Sequence, residues 1–211
     1  IEVHKLILEG LFGATKKVTS TKELIKKKAL SSIAIRCLVL KYNKQECKEV
    51  SEMSYQEEID FLVGHPQRNK YICNLVNSLN KNTLVLFQFI EKHGDILHSI
   101  LKDIIDSSRK IFFVYGGTDA DSREKVRELV EKEKDAIICA SYGVYSTGIN
   151  IRNIHNIVFA SPSKSRIRNL QSIGRGLRKS DTKESASLYD ISDDLTHNDR
   201  KNYTLSHFSE R

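Results

Sequence analysis

From Thr83 onward the chain alternates two hydrophobic periods, and that alternation confines it to a narrow class of folds. Thr83 to Phe89, Lys110 to Tyr115, Ala136 to Ala140, Asn156 to Ala160 and Ala186 to Ile191 are short runs rich in apolar and β-branched residues. Each reads as a strand. Between them lie segments with helical spacing. Gly94 to Asp106 predicts a helix with Ile96, Leu97, Ile100, Leu101, Ile104 and Ile105 inward. Asp121 to Glu133 predicts one with Val126, Leu129 and Val130 on one face, and Lys164 to Lys179 predicts another. Strands that alternate with helices join by right-handed crossovers into a parallel sheet. Such a sheet is covered on both faces. The expected class is therefore α/β, with a mostly parallel sheet between two helical layers.

The earlier part of the chain is less regular. Ile33 to Tyr42 reads as a strand and Tyr55 to Val63 as a short helix ending near Gly64. Pro66 suits the first turn of a further helix running to about Leu79. Residues 1–32 are weakly patterned and hold Gly10, Gly13 and the run Lys26-Lys27-Lys28. That run reads as a solvated helix face, with a phosphate-tracking patch as the alternative. The last twenty residues, 192–211, are polar and without pattern, and are expected to fray or to belong to a continuation. The chain starts at Ile1 and already reads as mid-chain, so a piece of a longer protein is expected.

Composition removes several classes. The longest apolar runs are only a few residues, such as Leu84 to Phe87, so no segment can span a bilayer as a helix. No secretory signal opens the sequence. The four cysteines, Cys37, Cys47, Cys73 and Cys139, are irregularly spaced and form no C-x-x-C pair. They predict neither a disulfide framework nor a zinc site, and a reducing, cytoplasmic setting is expected. Cys73 and Cys139 lie in apolar segments and read as small core residues. The seven histidines are scattered, so no metal cluster is expected. Lysines and arginines number 34 against 27 acids, a net charge of +7. That balance permits an anionic partner without showing one.

In open α/β sheets, ligands bind beyond the carboxyl ends of the strands. Two segments in such positions carry unusual chemistry. Ala140 to Asn150, A-S-Y-G-V-Y-S-T-G-I-N, is dense in hydroxyls and glycine. Hydroxyls and accessible backbone N–H groups suit phosphate oxygens. Tyr142 and Tyr145 offer aromatic faces for base stacking, or else simply pack on the loop. The plainer reading of the segment is an ordinary connecting loop.

The second segment is Q-S-I-G-R-G-L-R, residues 171–178. At about 100° per residue, Gln171, Arg175 and Arg178 share a sector of roughly 60°. Ile167, Leu170, Ile173 and Leu177 lie on a neighbouring face, centred roughly 110° away. The helix thus buries one stripe and presents an amide and two guanidinium groups on another. Gly174 and Gly176 each cost about 1 kcal/mol against alanine inside a helix. Their presence points to close approach by something else. Two guanidinium forks aimed at one place suit a polyphosphate. A solvated basic face is the competing reading.

The chain contains no G-x-x-x-x-G-K-[ST] phosphate loop. It also lacks an Asp-Glu pair after a strand that would hold Mg²⁺ in the usual way; Asp193-Asp194 follows the last strand with no phosphate loop to serve. Half of a nucleotide-hydrolysing site can be built from these residues, and half cannot.

Taken in order, these segments resemble the motifs of superfamily-two helicases. Residues 171–178 are similar to motif VI, Q-x-x-G-R-x-x-R, and residues 140–150 to motif V. Leu84 to Phe89 resembles motif IV, and Gly116-Gly117-Thr118 through Arg123 resembles motif IVa. The likeness covers about residues 55 to 195. Within the superfamily, S-Y-Q-E-E-I (54–59), R-N-K (68–70), A-S-Y-G-V-Y-S-T-G-I and L-Q-S-I-G-R-G-L-R-K are similar to the UvsW type of phage recombination and repair helicase.

The resemblance implies a RecA-like domain at 33–195, the second of two that hold ATP between them. Residues 1–32 would then be the tail of the first motor domain and a linker, and 196–211 a polar tail. Arg175 and Arg178 match the arginines that approach the γ-phosphate, and Gln171 the nearby glutamine. Gly148, Asn150 and Gly174 match nucleotide-side positions, although Asn150 stands where Asp is commoner. Gln88, Gly117, Thr118, Ser141, Tyr142 and Thr147 match positions that contact nucleic acid. ATP and Mg²⁺ would be held mainly by a first domain that this chain lacks, so the chain alone is expected to be inactive. The implied partners are single-stranded or branched DNA, RNA as an alternative, and that first domain. The setting would be the host cytoplasm for a phage protein. Two other functions fit the residues: a nucleic-acid-binding or annealing module with no motor of its own, and the motor of a restriction-type translocase on duplex DNA.

Overall fold

The computed structural model describes residues 2–14, 16, 21–27, 30–147, 151–165, 171–175 and 185–210. They fall into two compact units, Ile1–Leu30 and Ser31–Arg211. The first holds α1 (Glu2–Phe12) and α2 (Thr21–Lys26). On α1 the side chains of Val3, Leu6, Ile7, Leu11 and Phe12 are all exposed.

The second unit is built on six strands: β1 (Ser32–Lys41), β2 (Thr83–Phe87), β3 (Ile111–Val114), β4 (Ile137–Ser141), β5 (Asn156–Phe159) and β6 (Ser185–Asp194). Every neighbouring pair is parallel, in the order β1-β6-β5-β2-β4-β3. The strand segments expected from sequence are all present, and the sheet is wholly parallel.

Alternate side chains leave the sheet on opposite faces, and each face has its own core. Leu84 and Leu86 join Ile138, Ala140, Ile157, Phe159 and Leu188 on one face. Val126 and Val130 of α7 (Ala120–Lys132) and Val144 and Tyr145 of α8 (Tyr142–Thr147) cover it. Residues 171–175 are helical and form α9, whose Ile173 packs on the same face. Val85 and Phe87 join Cys139, Val158 and Ile191 on the other. There α5 (Pro66–Ser78) supplies Ile72, Cys73 and Val76, and α6 (Asp95–Ile104) supplies Leu97 and Leu101. Burial pushes the Cys73 thiol up to about 12 and raises that of Cys139 further, so both behave as apolar core groups. A smaller cluster under α3 (Lys44–Ser51) and α4 (Tyr55–Gly64) joins Cys47, Val50 and Leu62 to Leu195.

Local chemistry explains where these helices begin. Asn43 with Glu46, and Ser54 with Glu57, form reciprocal capping boxes on α3 and α4. His65 Nδ1 accepts the Arg68 N–H at the start of α5, with Pro66 in the first turn.

Four sequence expectations need correction. Strand β2 ends at Phe87, two residues early, because the chain turns into a π-helical turn at Ile90–Gly94. On α6, Leu97, Leu101 and the following Ile105 are buried, whereas Ile96 and Ile104 are each 37% exposed. Six apolar positions exceed what one contact with the sheet can cover. In the Ala140 to Asn150 segment, Ala140 and Ser141 end β4 and Tyr142–Thr147 form the helix α8 rather than a loop. Finally, residues 203–210 do not fray but form α10 (Tyr203–Glu210). The buried Glu58 carboxylate on α4 accepts the backbone N–H groups of Tyr203 and Thr204 at 2.8 and 2.7 Å, together with Thr204 Oγ1 and Asn202 Nδ2. A carboxylate at a helix N-terminus satisfies donors that the short polar helix cannot satisfy itself.

Candidate functional site

The carboxyl ends of the strands form one edge of the sheet. Connections from β2 and β5, which are neighbours, leave in opposite directions: β2 leads across β4 to β3, and β5 leads to β6. This is the topological switch point, where an open parallel sheet leaves a crevice. Phe87 pairs with Ser141, and Val114 with Ala140, so Gln88, Ser141 and Gly116 follow from adjacent strand ends. Strands lie roughly 4.8 Å apart. The structure thus gathers Gln88, Gly117, Thr118 and Ser141 along one short stretch of edge.

Each of these positions is shaped by identifiable contacts. Gln88 is exposed, and its backbone N–H donates to Ser161 Oγ at 2.9 Å. The Gly116–Thr118 turn is clamped by Arg123, whose Nε donates to the Thr118 carbonyl at 2.7 Å and whose Nη2 donates to that of Gly116 at 3.0 Å. Thr118 Oγ1 accepts the Tyr115 N–H at 3.1 Å. A Cβ at Gly117 would sit 2.6 Å from the Tyr115 ring, so any other residue there would displace that half-buried ring. Ser141 is the last residue of β4 and nearly buried, at 8% exposure.

Tyr142 and Tyr145 do not serve as stacking platforms. Both are buried, at 2% and 0% exposure, in the core beneath α8. Tyr142 lies edge-on against Phe159, and its hydroxyl donates to the Ser161 carbonyl at 3.4 Å. An apolar ring on a helix packed over a sheet gains more from burial than from solvent exposure. Tyr142 can therefore offer a nucleic acid only its backbone. Thr147 ends α8, while Gly148, Asn150 and Arg178 lie outside the described residues.

On α9, Ser172 is buried and Ile173 packs on the Leu188 side of the sheet. Gln171 is exposed and Arg175 half-buried, four residues apart and so on one face. Ile173, on the expected apolar stripe, is half-buried like Arg175, and the fully buried residue is Ser172, which lies on neither expected stripe. A Cβ on Gly174 would meet no atom within 4 Å, so nothing within the described chain requires that glycine.

Beneath the edge lies a polar network that sequence reasoning missed. Arg68 Nε and Nη2 donate to Asp193 Oδ1 and Oδ2 at 2.8 and 3.1 Å, with both side chains buried. Tyr42 donates its hydroxyl to Asp193 Oδ1 at 2.7 Å. Burial and the Asp193 charge together raise the Tyr42 phenol's pKa, so it stays protonated. Burial works to lower the Arg68 pKa, and the Asp193 carboxylate outweighs it. Alongside, Ser161, His93 and Asn69 form a second chain of bonds. Arg68 and Asn69 lie in the R-N-K segment that carries part of the family likeness, and Asp193 follows the last strand expected from sequence. No sequence signal joined them to Tyr42, His93 and Ser161, and the six come from five separate elements and loops. Among the described residues, no group of three or more His, Cys, Asp or Glu side chains could hold a metal ion. Likewise, among these residues no helix is long and apolar enough to cross a membrane.

Comparison with known proteins decides the family. Residues 67–180 match the model of the helicase conserved C-terminal domain. The chain belongs to that family. It is 35% identical over 187 residues to the ATP-dependent DNA helicase UvsW of enterobacteria phage T4, covering 87% of this chain and 36% of that protein. The chain therefore spans about a third of that relative's length. The crystal structure of T4 UvsW superposes with a TM-score of 0.71 at 33% identity, over 86% of this chain and 39% of that one. The ATP-dependent Type ISP restriction-modification enzyme LlaBIII, bound to DNA, shares the fold at 16% identity, with a TM-score of 0.61 over 94% of this chain and 15% of that one. The sheet and its two helical layers form a RecA-like helicase domain.

Proposed function

We propose that this chain is the second motor domain of an ATP-dependent DNA helicase acting in recombination, repair or replication-fork processing. One observation carries the reading: Gln171 and Arg175 share one face of α9, with Ile173 packed on the sheet from the opposite side and Ser172 buried at the flank. The donor set fits a triphosphate, because an amide and a planar guanidinium fork match phosphate oxygens. Arg178, one turn further on in sequence, would complete the set. When bound between this domain and a first one, ATP supplies the free energy that opens and closes the cleft. Gln171 orients groups at the γ-phosphate; Arg175 and Arg178 stabilise charge that develops on it in the transition state. Gly148, Asn150 and Gly174 lie on the same nucleotide side in this reading.

Gln88, the Gly116–Thr118 turn, Ser141 and Thr147 hold the backbone of one DNA strand, with Tyr142 contributing backbone only. The likeness to a protein named as a DNA helicase supports DNA over RNA. Contacts of this kind read phosphate and sugar, so little sequence preference is expected. No phosphate loop occurs in these 211 residues, so the chain alone turns over no ATP, and Mg²⁺ and the β- and γ-phosphate cradle belong to the partner domain.

The test is Arg175→Ala and Arg178→Ala in the full-length protein. Turnover falls by about 10³-fold while DNA affinity without nucleotide stays within a few-fold. Lysine at either position rescues poorly, since it keeps charge and loses the fork. Persistent turnover with reduced DNA affinity would show that α9 is a strand-contact surface instead.

A further inference from the structure

The loop after β2 is tied down by a relay of buried polar groups whose directions are all forced. Asn69 Nδ2 donates to the Val63 carbonyl at 2.8 Å, which orients the amide. Its Oδ1 therefore faces His93 Nε2, at 3.2 Å, and must accept. His93 then carries its proton on Nε2, and Nδ1 is an acceptor. Ser161 Oγ lies 2.7 Å from Nδ1 and directs its only proton there. The Ser161 oxygen is left to accept the Gln88 backbone N–H at 2.9 Å. Reversing any one member would set two donors or two acceptors face to face.

The setting is rigid. Asn69 and His93 are fully buried and Ser161 is 1% exposed. His93 sits on the π-helical turn at Ile90–Gly94, which turns its ring inward. Single π-turns occur frequently at functional sites. Gly94 closes that turn against Phe87, where an added Cβ would lie 2.6 Å from the ring. Burial lowers the imidazole's pKa to about 3, with the Arg68 charge adding to the effect, so the ring stays neutral as the relay requires. Gln88 and Ser161 follow β2 and β5, the two strands that flank the switch point.

We propose that His93 is a positioning residue, which acts through Ser161 to fix the Gln88 backbone at the switch point so that the loop meets a DNA strand in one conformation. The functional half of this rests on reading Gln88 as a strand contact. His93 touches no ligand itself; its contribution is the single acceptor at Nδ1.

Two substitutions separate this role from packing. In His93→Asn the new carboxamide oxygen falls near the position of Nδ1 and can still receive the Ser161 proton, so the tie is retained. In His93→Gln the longer side chain carries its amide to the position of Nε2 and leaves Ser161 without its acceptor, so the tie is lost. The experiment measures amide hydrogen exchange at Gln88 and affinity for an oligo-dT strand in both variants, in Ser161→Ala and in Gln88→Ala. Imidazole nitrogen spectra of the unaltered protein report the tautomer. We expect the Nε2–H form. Exchange at Gln88 should be about 10-fold faster in His93→Gln and Ser161→Ala than in His93→Asn, as losing one hydrogen bond predicts. Strand affinity should weaken about three- to ten-fold in the same two variants. An Nδ1–H tautomer, or equal exchange in both His93 variants, overturns the proposal. So does a loss of affinity in Gln88→Ala that His93→Gln and Ser161→Ala fail to reproduce. If instead Gln88→Ala leaves affinity unchanged, the strand-contact reading fails while the exchange data still decide the tie.

Discussion

Arg68 and Asp193 stand 125 positions apart in the chain and meet in a two-pronged, buried ion pair, Nε to Oδ1 at 2.8 Å and Nη2 to Oδ2 at 3.1 Å. The pair fastens the first turn of α5 to the end of β6, and Tyr42 adds the end of β1. Removing one member leaves the other charge buried and uncompensated, which typically costs about 3–5 kcal/mol. Asp193→Asn should therefore lower unfolding stability by about that amount in urea titrations. Arg68→Met, Asp193→Leu and Tyr42→Phe together should recover most of it, because a buried polar network replaced as a whole by packed apolar groups is often neutral, whereas leaving Tyr42 would orphan its hydroxyl. A loss under about 1 kcal/mol in Asp193→Asn would show that the pair is far better solvated than its burial implies.

His93 gives stability a defined pH dependence. Its pKa is about 3 in the folded chain, against an ordinary value of 6.5. Above about pH 7.5 the ring is neutral whether the chain is folded or not, and it contributes almost no slope. As the pH falls below 6.5, the unfolded chain takes up a proton that the folded state refuses. Stability then drops by up to about 1.4 kcal/mol per pH unit, down to the folded value. Between about pH 6.5 and 5, His93→Asn should show a slope shallower by nearly one proton. Parallel curves for the two proteins would mean that the ring is hydrated and titrates normally.

Gly94 has ordinary helical dihedrals, φ −58° and ψ −49°, so alanine is not strained by backbone there. The obstacle is the Phe87 ring, three of whose carbons would lie 2.6–2.9 Å from the new Cβ. That ring is fully buried and stacked on Phe113, with centroids 5.3 Å apart, so it has little room to move. Gly94→Ala should cost about 1–3 kcal/mol and lower Tm by about 2–4 °C per kcal/mol. Adding Phe87→Leu should relieve part of this despite shrinking the core. Calorimetry of the two variants checks the order.

Strand binding should weaken as salt rises, with a log–log slope of about −0.7 for each phosphate neutralised on a single strand. Gln88→Ala should lower affinity at every salt concentration and leave that slope unchanged, because an amide displaces no counter-ion. A slope that flattens in Gln88→Ala, or no salt dependence at all, would contradict a neutral backbone contact on a basic domain.

The sequence by itself determined the strands, the helices α4 to α7 and the class of fold. Val85 and Phe87 face one core and Leu84 and Leu86 the other, as period-two alternation requires. The Ser54–Glu57 capping box and Pro66 mark helix starts within a few residues of chain. The presented face of α9, Gln171 with Arg175, follows from helical period alone. These are local relationships, and a local pattern records them.

Only the tertiary structure decided which distant groups meet. It set β6 between β1 and β5, and brought Asp193 to Arg68 and Ser161 to His93. It turned residues 203–210 from an unpatterned tail into a helix, because Glu58 caps its N-terminus while the Asn202 side-chain oxygen accepts the Leu195 N–H instead. It also took Tyr142 away from solvent, since a ring over a sheet is buried by its neighbours whatever its own chemistry permits. Pairing between donors and acceptors far apart in the chain leaves no period in the sequence; it exists only once packing has removed every other partner, water included.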